Sequence, residues 1–272
     1  MLKRILVAGA AAAVLGGVFA AAAMATHTWN GYHWGRTSSY PKAPLKVGDN
    51  VTASWDSYLD TAIADWNQSS VIALTKVAGQ AKGKCRPTSG RLEVCNGSYG
   101  NNGWLGLATI WTASGTSHIA QATTKLNDTY FNTSTYNNPN ERAHVACQEV
   151  AHDFGLDHQD TSGADFNTCM DYFSNTGANA TSTDSTHPNQ GDYDELQWKY
   201  DPSFVGPKIS IDLKTGRTHT TQSGTSGHYD SSNSWSRPIT GVVQMPGSED
   251  HYSVKVGRYV KHVHVYWANP IH

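Results

Sequence analysis

Cys147-Gln148-Glu149-Val150-Ala151-His152-Asp153-Phe154-Gly155-Leu156-Asp157-His158 is the stretch of this 272-residue chain that carries the densest chemistry. On an α-helix residues advance about 100° each, so positions 148 and 152 share a face one turn apart and can reach a single ion together. Glu149 lies beside that face, where a carboxylate can act on a water without displacing it, as a general base must. Gly155 suits the left-handed turn that ends a helix. His158, arriving from beyond that turn, adds a third ligand. Three protein ligands and one open position describe a catalytic zinc site, in which Gln148 is the unusual member.

An amide oxygen is a hard ligand matched to cations such as calcium, whereas zinc prefers imidazole or thiolate. His144 lies two turns from His152, about 12 Å along the axis at 1.5 Å per residue, and does not replace the missing imidazole. Three readings stand at this point. Gln148 ligates zinc weakly, or another residue among Asp157, Asp160, His187 and Tyr172 completes the site, or the site is degenerate.

With His in place of Gln148 the stretch would read His-Glu-x-x-His-x-x-Gly-x-x-His. On these residues, together with Cys169-Met170-Asp171-Tyr172 downstream, the chain resembles the metzincin superfamily of zinc endopeptidases, nearest to its small secreted bacterial matrixin-like members. The resemblance spans about residues 50–200. It implies zinc held by His152, His158 and Gln148, with Glu149 as catalytic base. It further implies Tyr172 beside the metal or the oxyanion, Met170 as an apolar floor beneath the metal, and Gly155 as the turn. Calcium is a second cation that such folds accommodate, with Asn127 and Asp128, or Asp157 and Asp160, as oxygen donors. The partner implied is a protein or peptide substrate, cleaved by a monomer. The alternative is a metzincin-fold binding or structural protein that lost catalysis with its first histidine.

Around this stretch the pattern is α+β. Trp55, Leu59, Ile63 and Trp66 fall at helical spacing within 52–67. Segments 71–77, 91–94, 105–112 and 118–126 are short, β-branched or alternating, and read as strands of one twisted mixed sheet. Pro139 opens the active-site helix, which runs to about Phe154. A C-terminal helix follows Pro188 and ends near Tyr200. Trp29, Tyr32, His33 and Trp34 read as a first strand packed on the domain. Tyr252–Val256 and Tyr259–Trp267 flank Gly257-Arg258 as a β-hairpin, either a small appendage or a pair of strands laid on the main domain. His262 and His264 alternate on one face of that second strand, with His251 before them. That alternation reads more simply as a solvent-facing polar row opposite Val263 and Val265 than as a metal site.

Residues 1–25 read as a secretory signal peptide, because Lys3 and Arg4 precede an unbroken small-apolar run that ends in Ala23-Met24-Ala25. A metallopeptidase-like domain at 26–202 and a β-rich, partly flexible segment at 203–272 complete the expected organisation, in a secreted, extracellular protein. Four cysteines in an exported chain suggest two bridges, and of the three connectivities we prefer Cys85 with Cys95 and Cys147 with Cys169. A net charge of −2 without a basic run provides no footprint for nucleic acid or for a membrane surface.

Overall fold

A mixed sheet with helices on one face organises the chain, and this computed structural model describes residues 27–35, 42–201, 208–211, 218–221 and 251–268. The signal-peptide segment and most of the 215–236 stretch lie outside the described residues. The strands are β1 (His33–Trp34), β2 (Ala43–Asn50), β3 (Ile72–Ala78), β4 (Leu92–Gly97), β5 (Trp104–Ala113), β6 (His118–Asn127), β7 (Lys208–Ile211), β8 (Thr218–Thr221), β9 (His251–Val256) and β10 (Tyr259–Trp267). The main sheet runs β3-β2-β4-β6-β5-β10-β9, with β1 added to β6. Pairing is parallel from β3 through β6 and antiparallel from β6 through β9. Strands β7 and β8 form a separate antiparallel pair.

Strand β2 is an element that the sequence pattern did not announce. Only Ala43, Leu45 and Val47 alternate inward, while Pro44, Lys46 and Gly48 interrupt the β-branched signature. It forms because β3 and β4 flank it on both sides and pair with its backbone.

Four α-helices accompany the strands among the described residues: α1 (Asp56–Trp66), α2 (Asp128–Phe131), α3 (Pro139–His152) and α4 (Gln190–Tyr200). The stripe read from sequence is the buried face of α1, with Leu59, Ile63 and Trp66 in the core. The Trp66 indole NH donates to the Cys147 carbonyl (3.1 Å), and its ring meets Phe154 edge-on at 5.3 Å. This contact seats α1 directly behind the helix that carries the motif. Asn138 caps α3 by accepting from the Glu141 amide (2.8 Å), with Pro139 in the first turn, where no N–H is needed. Asn189 and Asp192 form a capping box on α4.

The C-terminal hairpin settles the alternative left open by the sequence. It is no appendage, because β10 pairs along β5 in continuous register from Tyr259 opposite Ala113 to Tyr266 opposite Gly106. The Tyr136 hydroxyl also donates to the Ala268 carbonyl, tying down the end of β10. The expected bridges are both present, Cys85–Cys95 and Cys147–Cys169. In the chain-entropy account each contributes about 3 kcal/mol. The second joins α3 to the segment carrying Met170.

The aromatic start packs as expected and laces the end of α3. The Trp29 amide donates to the Gly155 carbonyl (2.9 Å), the Trp34 indole donates to the Asp153 carbonyl (2.8 Å), and the Asp157 amide donates to the His27 carbonyl (2.7 Å). Gly155 stands at φ +91°, and a Cβ there would lie 1.9 Å from the Tyr32 carbonyl oxygen. Glycine is therefore required on two counts, conformation and space. Gly155→Ala is expected to lower unfolding free energy by at least about 2 kcal/mol, read as a shift in the urea midpoint at unchanged slope.

Candidate metal centre

Helix α3 leaves His152 at its last position, and the left-handed Gly155 turns the chain so that His158 comes back over the same end. The third imidazole at this point is His264 of β10. Donor atoms of His152, His158 and His264 all lie within 4.8 Å of one another. Ring centroids are 3.7 Å apart for His152 and His264, 4.6 Å for His158 and His264, and 4.8 Å for His152 and His158. His152 and His264 are fully buried and His158 nearly so.

Burial of three imidazoles with nothing to bond would be costly, so the state of each ring matters. His152 is oriented by its Nδ1, which meets the Leu156 carbonyl at 2.9 Å. Its Nε2, the His158 Nε2 and both ring nitrogens of His264 are buried and make no hydrogen bond. Burial pushes the His152 pKa down to about 3, and burial together with the neighbouring imidazoles holds His158 and His264 well below the usual histidine range. Neutral rings with lone pairs converging on one point are what a metal ion needs. A carbonyl behind His152 is the kind of outer partner that fixes a ligand's tautomer. The residues therefore fit a cation, and the cluster could hold one.

Glu149 enters this centre from the first letter after Gln148. Its carboxylate is fully buried, with Oε2 3.6 Å from the His264 Nδ1. Gly106 on β5 makes the room: a Cβ there would stand 2.5 Å from the Glu149 Cγ. Tyr172 packs its ring edge-on to His158, 4.2 Å between centroids. Met170 is buried in the main core, and its carbonyl accepts from the Gln159 amide (2.6 Å), next in sequence to His158.

The third histidine is a donor that the sequence reading did not include among the ligands. Gln148 is held by its own amide group, whose Nε2 donates to the carbonyls of Cys169 (2.7 Å) and Asp171 (2.9 Å). It pins α3 to the Met170 segment, its Oε1 is buried without a hydrogen-bond partner, and His264 brings a third imidazole to the cluster. The other substitutes considered are engaged elsewhere: His187 with Asp65 (2.6 Å) and Asp160 with Ser162. Asp157 accepts from the His158 amide (2.8 Å) and lies 3.4 Å from the His251 Nε2. His144 faces Asn175 (3.0 Å). Of the calcium donors, Asn127 caps α2 and bonds three backbone or side-chain oxygens near Gly100, while Asp128 accepts from Trp55 and Asn96.

The polar row on β10 is likewise inward-facing. His262 is nearly buried between the Thr112 hydroxyl (3.0 Å) and the Ser253 hydroxyl (2.7 Å), and His251 sits 5.0 Å from the His264 ring with Trp29 against it. Alternation identified the two faces of the strand correctly and their orientation wrongly. Which face turns inward depends on what lies across the sheet, and here α3 presents imidazoles and a carboxylate. The signal that could have found His264 was its chemistry: three histidines on two paired strands in a chain short of one ligand.

No known family model matches this chain, and no curated protein is detectably similar to it in sequence.

Gln148→Ala removes a side-chain donor from two buried carbonyls, so stability is expected to fall by about 1–3 kcal/mol in urea unfolding. The purified protein should retain close to one divalent metal per chain after dialysis, measured by elemental mass spectrometry. His264→Ala should lose it, whereas His262→Ala should keep it. Loss of an outer partner alone costs about 10- to 100-fold in metal affinity, and loss of a ligand should exceed that.

Proposed function

We propose that this protein is a secreted, zinc-dependent endopeptidase whose third metal ligand comes from the C-terminal hairpin. The single observation behind this reading is the convergence of His152, His158 and His264 beside the buried Glu149. Imidazole donors favour zinc among the common cations. A zinc ion held there supplies Lewis-acid chemistry, polarising a scissile carbonyl and acidifying water.

The chain's own residues then divide the work. Glu149 takes a proton from the attacking water and passes it to the leaving amine, a task suited to a carboxylate kept out of bulk solvent. Tyr172, whose ring packs edge-on against His158, is the residue we assign to steadying the developing oxyanion. Gln148 and the Cys147–Cys169 bridge hold α3 against the Met170 segment and keep the two parts of the centre in register. The resemblance to metzincins supports this division, with His264 in the place of their first histidine. The two disulfides and the signal-like first 25 residues support an extracellular location. Among the described residues no helix is long and apolar enough to cross a membrane.

The described arrangement is closed. Strand β10 takes the hydrogen-bonding edge of β5 that passes Glu149, and Trp29 covers His152 and His264 edge-on. On the peptidase reading a peptide would need the Trp29 segment to move aside, since moving the hairpin would withdraw His264. The same burial favours a second reading, in which the metal is a structural clasp binding the hairpin to the domain and no catalysis occurs.

Hydrolysis of casein and of a quenched fluorescent peptide library separates the two. The peptidase reading expects chelator-sensitive cleavage that falls about 10²- to 10⁴-fold in Glu149→Gln at unchanged metal content. A protein that holds one zinc per chain and cleaves nothing, or a Glu149→Gln variant as active as the parent, would overturn it.

A further inference from the structure

The strands that carry the metal centre have a second face. On β10, His262, His264 and Tyr266 turn toward α3, so Lys261, Val263 and Val265 turn the other way. On β6, Thr124 bonds to α3 through the Glu149 carbonyl and Asp153, which sends Lys125 to the opposite side. On that side the strands floor a cavity of about 830 Å³. That volume lies within the ~300–1,000 Å³ of ordinary small-molecule sites.

Its walls have two characters. One is apolar and aromatic: Trp104, Leu107, Tyr252, Val263 and Val265 form a cluster of their own, with Tyr99 packed against it. The other is cationic: Lys82, Lys84, Lys125 and Lys261 line the cavity, and among the described residues no aspartate or glutamate does. None of these four lysines makes an ion pair with a described residue. The Lys125 ammonium stands 5.8 Å from the Tyr99 ring centroid. Burial lowers the pKa of both Lys125 and Lys261, and Lys261 and Lys84 lower that of Lys125 further. Positive charges gathered in a half-buried cleft with no counter-charge among the described lining residues repel one another, and an anion between them removes that repulsion. The Cys85–Cys95 bridge borders the cavity and holds the loop bearing Lys82 and Lys84 to β4.

We propose that this cavity binds a small anionic amphiphile, with a carboxylate, sulfonate or phosphate head among Lys82, Lys84, Lys125 and Lys261 and an aromatic or aliphatic body on Trp104, Leu107 and Tyr252. The site is independent of the metal centre, because the sheet separates them.

The test uses 1-anilinonaphthalene-8-sulfonate as a fluorescent probe of the full secreted chain, with laurate and dodecanol as competitors. One saturable site per chain is expected, weakening as salt is raised. Laurate should displace the probe and dodecanol, which has the same tail and no charge, should not. Lys125→Met with Lys261→Met keeps the apolar stems and removes two charges, so affinity should fall at least about tenfold, while circular dichroism stays native. Absence of saturable binding, equal displacement by laurate and dodecanol, or undiminished affinity in the natively folded double variant would each overturn the proposal.

Discussion

The register between β10 and β5 is the constraint on which both faces of this protein depend. His264 stands opposite Ala108 and Val265 opposite Leu107. Side chains alternate along a strand, so a slip of one residue would send every histidine to the far face and every valine to the metal centre. Neither outcome is tolerable: three imidazoles would lose their common focus, and the apolar cluster around Trp104 would lose its floor. The Tyr136–Ala268 hydrogen bond at one end and, at the other, the Ser114 amide donating to the Arg258 carbonyl (3.1 Å) hold this register from outside the ladder.

Burial then determines what the centre can be. Imidazoles removed from water are neutral, and neutral rings offer lone pairs in place of charges. The converging donors come from three separate pieces of chain: the end of α3, the loop after Gly155, and β10. Their meeting therefore depends on the sheet, the left-handed turn and the hairpin all being formed. Gln148 contributes from the other side, since its amide bonds to Cys169 and Asp171 replace a ligand's role with a bracing one. The amide nitrogen of Gln148 is thus engaged in bracing, while its Oε1 is buried without a hydrogen-bond partner.

Much of the framework was legible in the sequence. The helical spacing of Trp55, Leu59, Ile63 and Trp66 located α1, Pro139 and Gly155 bracketed the motif helix, and the cysteines paired as the sequence reading expected. Each of these is a local signal: a period, a cap, a short loop to close. Strand β2 was missed because its own residues carry a weak pattern and its partners lie elsewhere in the chain. His264 was misread for a related reason, since alternation shows that a strand has two faces without showing which one is covered.

By itself the sequence determined that this is an α+β chain with a glutamate and a histidine at helical spacing, a glycine turn after them and a returning histidine, because those features act over a few residues. Tertiary structure alone decided that a third imidazole, more than a hundred residues downstream, joins His152 and His158. Bringing His264 to His152 requires the pairing of β10 with β5, and long-range pairing is set by which surfaces bury one another rather than by any property of either segment taken alone.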